Sequence, residues 1–315
     1  MTARTRHSQA DGDSPRRNTV VNREPVELND RWMCPTCQTD LVAALDFRCP
    51  VCKRRPVRDG KILDFRHLTP QTHIGLADTL ADIHNLIGHH YSDQSESWRV
   101  KHTLSQIRRL PRGRAVLEIG GANGAMTQSL ESLFERVISI DHSPSFMAAM
   151  IARTQRTTGV LGDALYLPLA SNTVDFVVCT EVLEHVVVPT QLLLEIRRVL
   201  KPQGLLYLTV PNCGDTLNPF RAWLYSLENA NDTHVNFYGV LPLQHVMARS
   251  GFEIRSVRAA NPIVQFLRLC WRRPWRFRHV LAAWGSIIEC VARPGPDPIP
   301  YWQRFISKHA QHDRA

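Results

Sequence analysis

The sequence predicts an α/β protein: a seven-stranded, mostly parallel sheet with helices on both faces, preceded by a small cysteine-built ribbon. Three observations carry that expectation. From Ala115 onward, short apolar runs alternate with helical patterns, as they do when strands are joined by crossover helices. One run, Val116-Leu117-Glu118-Ile119, leads into the turn Gly120-Gly121-Ala122-Asn123-Gly124, the way a buried parallel strand delivers its carboxyl edge to a nucleotide-like ligand. Ahead of it stand Cys34-Pro35-Thr36-Cys37 and Cys49-Pro50-Val51-Cys52.

Size and composition bound the reading. The chain has 315 residues, 43% hydrophobic and 21% charged, enough for one large α/β domain and a small appendage. No run of about 18 apolar residues could span a bilayer. Residues 1–18 carry Arg4, Arg6, Arg16 and Arg17 without an apolar segment suited to secretion. These features predict a disordered basic N-terminus over residues 1–30 and a cytoplasmic protein, peripheral to a membrane at most. Of eight cysteines, four are paired and Cys179, Cys213, Cys270 and Cys290 are scattered through apolar sequence, which suits a reducing compartment. The net charge of +9 is uneven: from Arg255 to the end, eleven Lys and Arg face Glu289, Asp297 and Asp313. Such a surface suits an anionic partner, and equally a merely solvated face.

The paired cysteines place a ribbon over residues 31–66. Each C-x2-C can form a tight knuckle, and two knuckles supply Cys34, Cys37, Cys49 and Cys52 as four thiolates in tetrahedral array around Zn2+. A segment this small has little core, so the metal supplies much of its folding free energy, and four thiolates leave no position open for catalysis. With the following Pro56-Val57-Arg58-Asp59-Gly60, the ribbon resembles the small zinc-ribbon family typified by activators of tRNA methyltransferases. That resemblance implies docking of a substrate or partner; a rigid brace on the next domain is the alternative.

Residues 67–112 read as a helical linker or cap, with Ile74, Leu76, Leu80, Ile83, Leu86 and Ile87 on one apolar face. The histidines there, His73, His84, His89 and His90, lack a ligand-spaced partner and receive no chemistry. The main domain is expected over 113–293, with strands at 115–119, 137–141, 160–162, 174–180 and 205–210, a helix at 241–250, and terminal strands at 252–258 and 286–293. Between the last two lies a basic, aromatic insertion at 261–285, too long for a tight hairpin. Residues 294–315 form a tail.

Which ligand the glycine turn takes depends on spacing. A dinucleotide loop wants glycine at 120, 122 and 125, where the chain has Gly120, Ala122 and Ala125. The spacing Gly120, Ala122, Gly124 after Glu118 fits better. Downstream come Asp141 at the end of the next strand, Gly162-Asp163-Ala164-Leu165, Glu181-Val182-Leu183-Glu184-His185-Val186 and Glu195 through Gly204, with Gln203 at a position where glycine is common. These motifs, in this order, resemble the class I S-adenosylmethionine-dependent methyltransferases of the type 11 branch, a Rossmann-like fold. The resemblance implies S-adenosylmethionine as cofactor. Glu118, Gly120, Ala122 and Gly124 would serve its methionine end and Asp141 its ribose hydroxyls. Asp163 would take the adenine amino group, with Ala164 and Thr180 in the same site.

Methyl transfer from a sulfonium is an in-line displacement, so positioning dominates, and an oxygen acceptor also needs a base. His185, beyond the fourth strand, and His234, in a segment similar to one bordering the acceptor pocket in that branch, are the candidate catalytic residues. An ordering role for either histidine fits as well. Asn212, Asp215 and Tyr238 would line the same cleft, or hydrogen-bond within loops. Residues 263–279 interleave Trp and Phe with Arg. Peripheral membrane contact, a phosphorylated or nucleotide-linked sugar, and RNA all suit that pattern, as does a lid packed on its own domain. The reading reached is O-methylation of a small, saccharide-type or lipid-linked acceptor. An RNA methyltransferase and a non-catalytic cofactor-binding adaptor are the alternatives.

Overall fold

The computed structural model describes residues 31–41, 46–70, 98–213, 234–260 and 287–295. The N-terminal arm, most of the 67–112 linker, Asp215, the 261–285 insertion with its 263–279 stretch, and nearly all of the tail lie outside these residues.

Nine strands form one sheet: β1 (Val57–Asp59), β2 (Ile62–Asp64), β3 (Ala115–Ile119), β4 (Arg136–Asp141), β5 (Thr158–Leu161), β6 (Val174–Thr180), β7 (Leu200–Pro211), β8 (Phe252–Ala260) and β9 (Ile287–Pro294). Their spatial order is β1-β2-β5-β4-β3-β6-β7-β9-β8. The five strands from β5 through β7 are parallel to one another, while β9 runs antiparallel to both β7 and β8. These seven strands are the expected sheet. The two extra strands come from the ribbon segment: β1 and β2 make a hairpin, and β2 pairs parallel with β5 through Ile62↔Gly159, Leu63↔Val160 and Asp64↔Leu161. The ribbon therefore extends the sheet at its edge instead of standing as a separate body.

The central strands are apolar because both faces are covered. Every residue of β3 is buried. On one face, α1 (Trp98–Ile107) sets Val100, Leu104 and Ile107 against Val116, Phe134 and Phe176, and α2 (Ala125–Leu130) adds Met126 and Leu130. The opposite face receives α4 (Pro189–Val199) and α5 (Val240–Arg249). In α4, Leu192, Leu193, Ile196 and Val199 recur at helical spacing and are fully buried. Truncating any of them to Ala costs about 2–5 kcal/mol. Pro189 opens that helix, where its missing N–H is no loss. A third cluster joins α3 (Pro144–Arg153) to β5 through Met147, Met150 and Leu161. Ser143 caps α3 by accepting from the Phe146 N–H at 3.3 Å.

The ribbon packs on the domain it precedes. Trp32 is buried and stacks on Phe65 with ring centroids 5.7 Å apart. The Met33 N–H donates to the Pro168 carbonyl at 3.0 Å, and the Ala170 N–H to that of Arg31 at 2.8 Å. From the other side, Arg198 of α4 donates to the Leu167 carbonyl at 2.9 Å, while Glu195 accepts from the Leu167 N–H at 2.8 Å. The loop after Asp163 is thus held between the ribbon and α4. Among the described residues, no helix is long and apolar enough to cross a membrane.

Candidate active site

The parallel strands β3, β4, β5 and β6 all end at one edge, and the sequence-marked residues collect there. After β3 the chain turns through Gly120 (φ 74°), Ala122 (φ 44°) and Gly124 (φ 82°), all left-handed. That conformation favours glycine. A Cβ at Gly120 would lie 2.5 Å from Val182 Cγ2, and one at Gly124 2.8 Å from the Met150 backbone. Ala122 holds its strained φ with its N–H bonded to Asp141 Oδ2 at 3.0 Å.

Asp141, at the end of β4, accepts from the Ala122 N–H on Oδ2 and from the Ser143 N–H at 2.9 Å on Oδ1. Each carboxylate oxygen has a second lone pair to offer. The backbone bonds fix the carboxylate against the glycine loop. Asp163 caps a short 3-10 turn (Ala164–Tyr166) by accepting from the Leu165 N–H at 2.8 Å, beside the partly buried Ala164. Thr180 ends β6 opposite Thr209 of β7.

Glu118 points beneath the loop. Only 2% exposed, it accepts from Ser139 Oγ at 2.9 Å and from Thr127 Oγ1, and a Cβ at Gly121 would come 3.1 Å from its Oε2. Burial pushes its carboxyl up to about 7 and nearby Asp141 adds to that, against the pull of the two hydroxyls. Its visible contacts support the loop from below.

After β6 the chain passes Glu181 (φ 55°) and reaches Glu184 and His185. Glu181 bridges Arg99 of α1 at 3.0 Å and Thr209 at 2.9 Å. Glu184 is 1% exposed and, among the described residues, neither carboxylate oxygen has a hydrogen-bond partner. Burial, then the neighbouring Glu181, push its carboxyl up to about 8. The Glu184 carbonyl accepts from the Val235 and Asn236 N–H groups at 2.9 and 3.0 Å, and Asn236 Nδ2 donates to the Val186 carbonyl at 2.6 Å. These bonds bring His234 onto His185, ring centroids 4.7 Å apart and edge to face. Burial, then Arg99, hold His234 below the usual imidazole range. Asn212 and Tyr238 adjoin this segment through a backbone bridge, and the buried Tyr238 hydroxyl has no partner among the described residues.

Sequence reasoning had His185 and His234 and gave Glu184 no role. The signal was the Glu-His pair at the end of a strand, but an acid's burial without a partner is invisible in sequence. Arg99, facing this corner from α1, carried no signal at all.

The four ribbon cysteines meet in space, with all four sulfurs within 4.8 Å of one another. Cys34 and Cys52 sulfurs lie 3.8 Å apart. Bonds of about 2.3 Å to a tetrahedral Zn2+ put neighbouring sulfurs about 3.8 Å apart, so the donor set fits that ion. The knuckles repeat each other: the Gln38 and Lys53 N–H groups return to the Cys34 and Cys49 carbonyls at 2.9 and 3.0 Å, with φ of 55° and 62°. Burial pushes Cys34 up to about 12. Cys49 is drawn down to about 6, because hydrogen bonds from Thr39 and from the Cys52 and Val51 N–H groups outweigh its burial.

A doubly wound sheet in this strand order, with a glycine loop after its central strand, Asp141 ending the next strand and Asp163 just beyond the one after, is the arrangement that the sequence resemblance implied. Residues 117–208 match the family model described as a methyltransferase domain. A match of 31% identity over 144 residues covers 46% of this chain and 54% of the "Probable S-adenosylmethionine-dependent methyltransferase" of Mycolicibacterium smegmatis. Another, 30% over 156 residues, covers 49% of this chain and 30% of the biotin biosynthesis bifunctional protein BioHC of Cellvibrio japonicus. The chain therefore spans about half or less of the length of these curated relatives. Two solved structures share the fold. One is a complex of the Haloferax volcanii Trm112 methyltransferase activator with a methyltransferase (TM-score 0.51, 17% identity, 70% of this chain and 97% of that one). The other is a Haemonchus contortus phosphoethanolamine N-methyltransferase with S-adenosyl-L-methionine (0.51, 17%, 72% and 61%).

Proposed function

We propose that this protein transfers a methyl group from S-adenosylmethionine to an oxygen of a small, saccharide-type or lipid-linked acceptor. The observation that carries the reading is the joint placement of the left-handed 120–124 loop and Asp141 at one sheet edge, locked together by the Ala122 N–H. Gly120, Ala122 and Gly124 let backbone approach the methionine end of the cofactor, with Glu118 stiffening the loop from beneath. Asp141 offers its remaining lone pairs to the ribose hydroxyls, and Asp163 accepts from the adenine amino group beside Ala164 and Thr180. When bound, the cofactor supplies an activated methyl carbon; the protein's task is to hold an acceptor oxygen about 3–3.5 Å away and in line with it.

His185 and His234 act on the acceptor side, at the end of β6. Their pairing supports an oxygen acceptor, whose proton must leave. The ribbon holds a structural zinc ion through Cys34, Cys37, Cys49 and Cys52. Its contacts with residues 168–170 support a bracing role for the loop that follows Asp163, rather than a surface kept free for RNA.

Calorimetry with S-adenosylmethionine tests the cofactor site. Asp141→Asn should weaken binding about tenfold or more, the value of a lost hydrogen bond to a charged group at roughly 1.5–3 kcal/mol; unchanged affinity would reject the ribose role. Native mass spectrometry of the same preparation should show one zinc per chain, and its absence would remove the structural-metal reading.

A further inference from the structure

Glu184, His185 and His234 each place a ligand atom within 4.8 Å of the others, at the edge where the methyl acceptor must enter. We propose that they bind one divalent first-row transition cation whose remaining coordination positions take the acceptor oxygen. The inference rests on the methyltransferase reading for its purpose and on geometry for its existence.

Three features support the site. Glu184 is a buried carboxylate, 1% exposed, with no hydrogen-bond donor on either oxygen among the described residues. A buried charge in that condition is costly unless a cation compensates it. His234 contributes a second orphan, its buried Nδ1, likewise without a partner among those residues. The Glu184–His185 separation suits a metal: His185 Nε2 lies 3.9 Å from Glu184 Oε1, and two ligands with bonds of about 2.1 Å to a shared ion can stand up to about 4.2 Å apart; His234 lies within 4.8 Å of both, so its side chain closes in slightly on binding.

The backbone organises the group in advance. Glu184 and His185 are consecutive, and the segment carrying His234 is tied to them by the Val235 and Asn236 N–H bonds to the Glu184 carbonyl. Two imidazoles and one carboxylate favour ions such as Mn2+, Fe2+, Co2+ or Zn2+ over Mg2+, which prefers oxygen and water. Three protein ligands also leave positions open, unlike the closed ribbon site. An acceptor hydroxyl that binds there becomes more acidic and releases its proton to solvent. Its oxygen then forms the C–O bond to the methyl carbon as the C–S bond breaks, and the bonding pair stays on sulfur, which loses its positive charge. On this account the two histidines hold the cation, and neither accepts the proton.

Full-length protein with its ribbon zinc intact, verified as one zinc per chain by elemental analysis, is titrated with Mn2+ by electron paramagnetic resonance and with Co2+ by absorption. One further ion per chain is expected. Glu184→Gln and His234→Ala should each weaken binding at least about tenfold, while an exposed control, His67→Ala, leaves it unchanged. S-adenosylmethionine affinity, measured separately by calorimetry, should be the same in all four proteins. Failure to bind either ion at millimolar concentration, or equal binding by the two site variants and the parent, overturns the proposal. Loss of cofactor binding by every protein would instead count against the methyltransferase reading, and the metal titration still decides the site.

Discussion

Two deeply buried carboxylates meet opposite fates. Glu289 on β9 and Glu184 after β6 are 2% and 1% exposed. Glu289 is saturated: Arg258 Nε donates to it at 2.7 Å, the Tyr207 hydroxyl at 2.9 Å, and His102 of α1 also contacts it. Burial would raise its pKa, but His102 and Arg258 outweigh that and hold it below the usual carboxylate range. Glu184 has no such partner among the described residues and is pushed up instead. Glu118, with two hydroxyl donors and no cation, lies between them at about 7. The series shows that partners, more than depth, set the state of a buried acid. Glu289 ties four elements together and is structural; Glu184 is unsatisfied among the described residues, as the proposed role for it, with a partner arriving from outside, requires.

The largest effect should follow from breaking the saturated end of that series. Glu289→Ala leaves Arg258, His102 and the Tyr207 hydroxyl without their common acceptor and should cost about 3–5 kcal/mol in urea unfolding; a loss below about 1 kcal/mol would show that the network contributes little. Glu118 gives a smaller, pH-dependent effect. Its folded pKa of about 7 stands above the usual glutamate value of 4.5, so the folded state holds a proton that the unfolded chain has released. The associated stability is full below about pH 4.5 and is lost as pH rises through 7, in all about 3 kcal/mol. Cofactor-free Glu118→Gln should lack this decline, and parallel curves for variant and parent would contradict the raised pKa. The smallest change is expected at Glu184: in metal-free protein Glu184→Gln should shift stability by no more than about 1 kcal/mol, or raise it, because its carboxylate has no hydrogen-bond partner among the described residues. A loss comparable to that at Glu289 would erase the contrast.

Much of the fold was legible because its signals are local. Apolar runs marked β3, β4, β6 and β7 within a few residues, and Phe252 and Arg293 fell within the two strands expected near the end. The length of β7 was underestimated: Leu200 pairs with Val174 beyond a register shift, so the strand starts directly at the end of α4. The left-handed turn was readable from Gly120, Ala122 and Gly124 because small residues at left-handed positions leave a pattern in the sequence. The contacts of Glu118 were not readable, since Thr127 and Ser139 reach it from a helix and a neighbouring strand.

By itself the sequence determined the α/β alternation, the glycine loop with its acids, and a four-cysteine ribbon, all properties of short segments governed by periodicity, backbone freedom and ligand spacing. Only the tertiary structure decided that the ribbon hairpin extends the sheet through β2 and β5, and that its body hydrogen-bonds the loop after Asp163. It alone also set Glu289 among three donors and closed His234 onto Glu184 and His185. Those outcomes depend on long-range register and on which buried polar groups find partners, and neither is fixed until the strands are laid side by side.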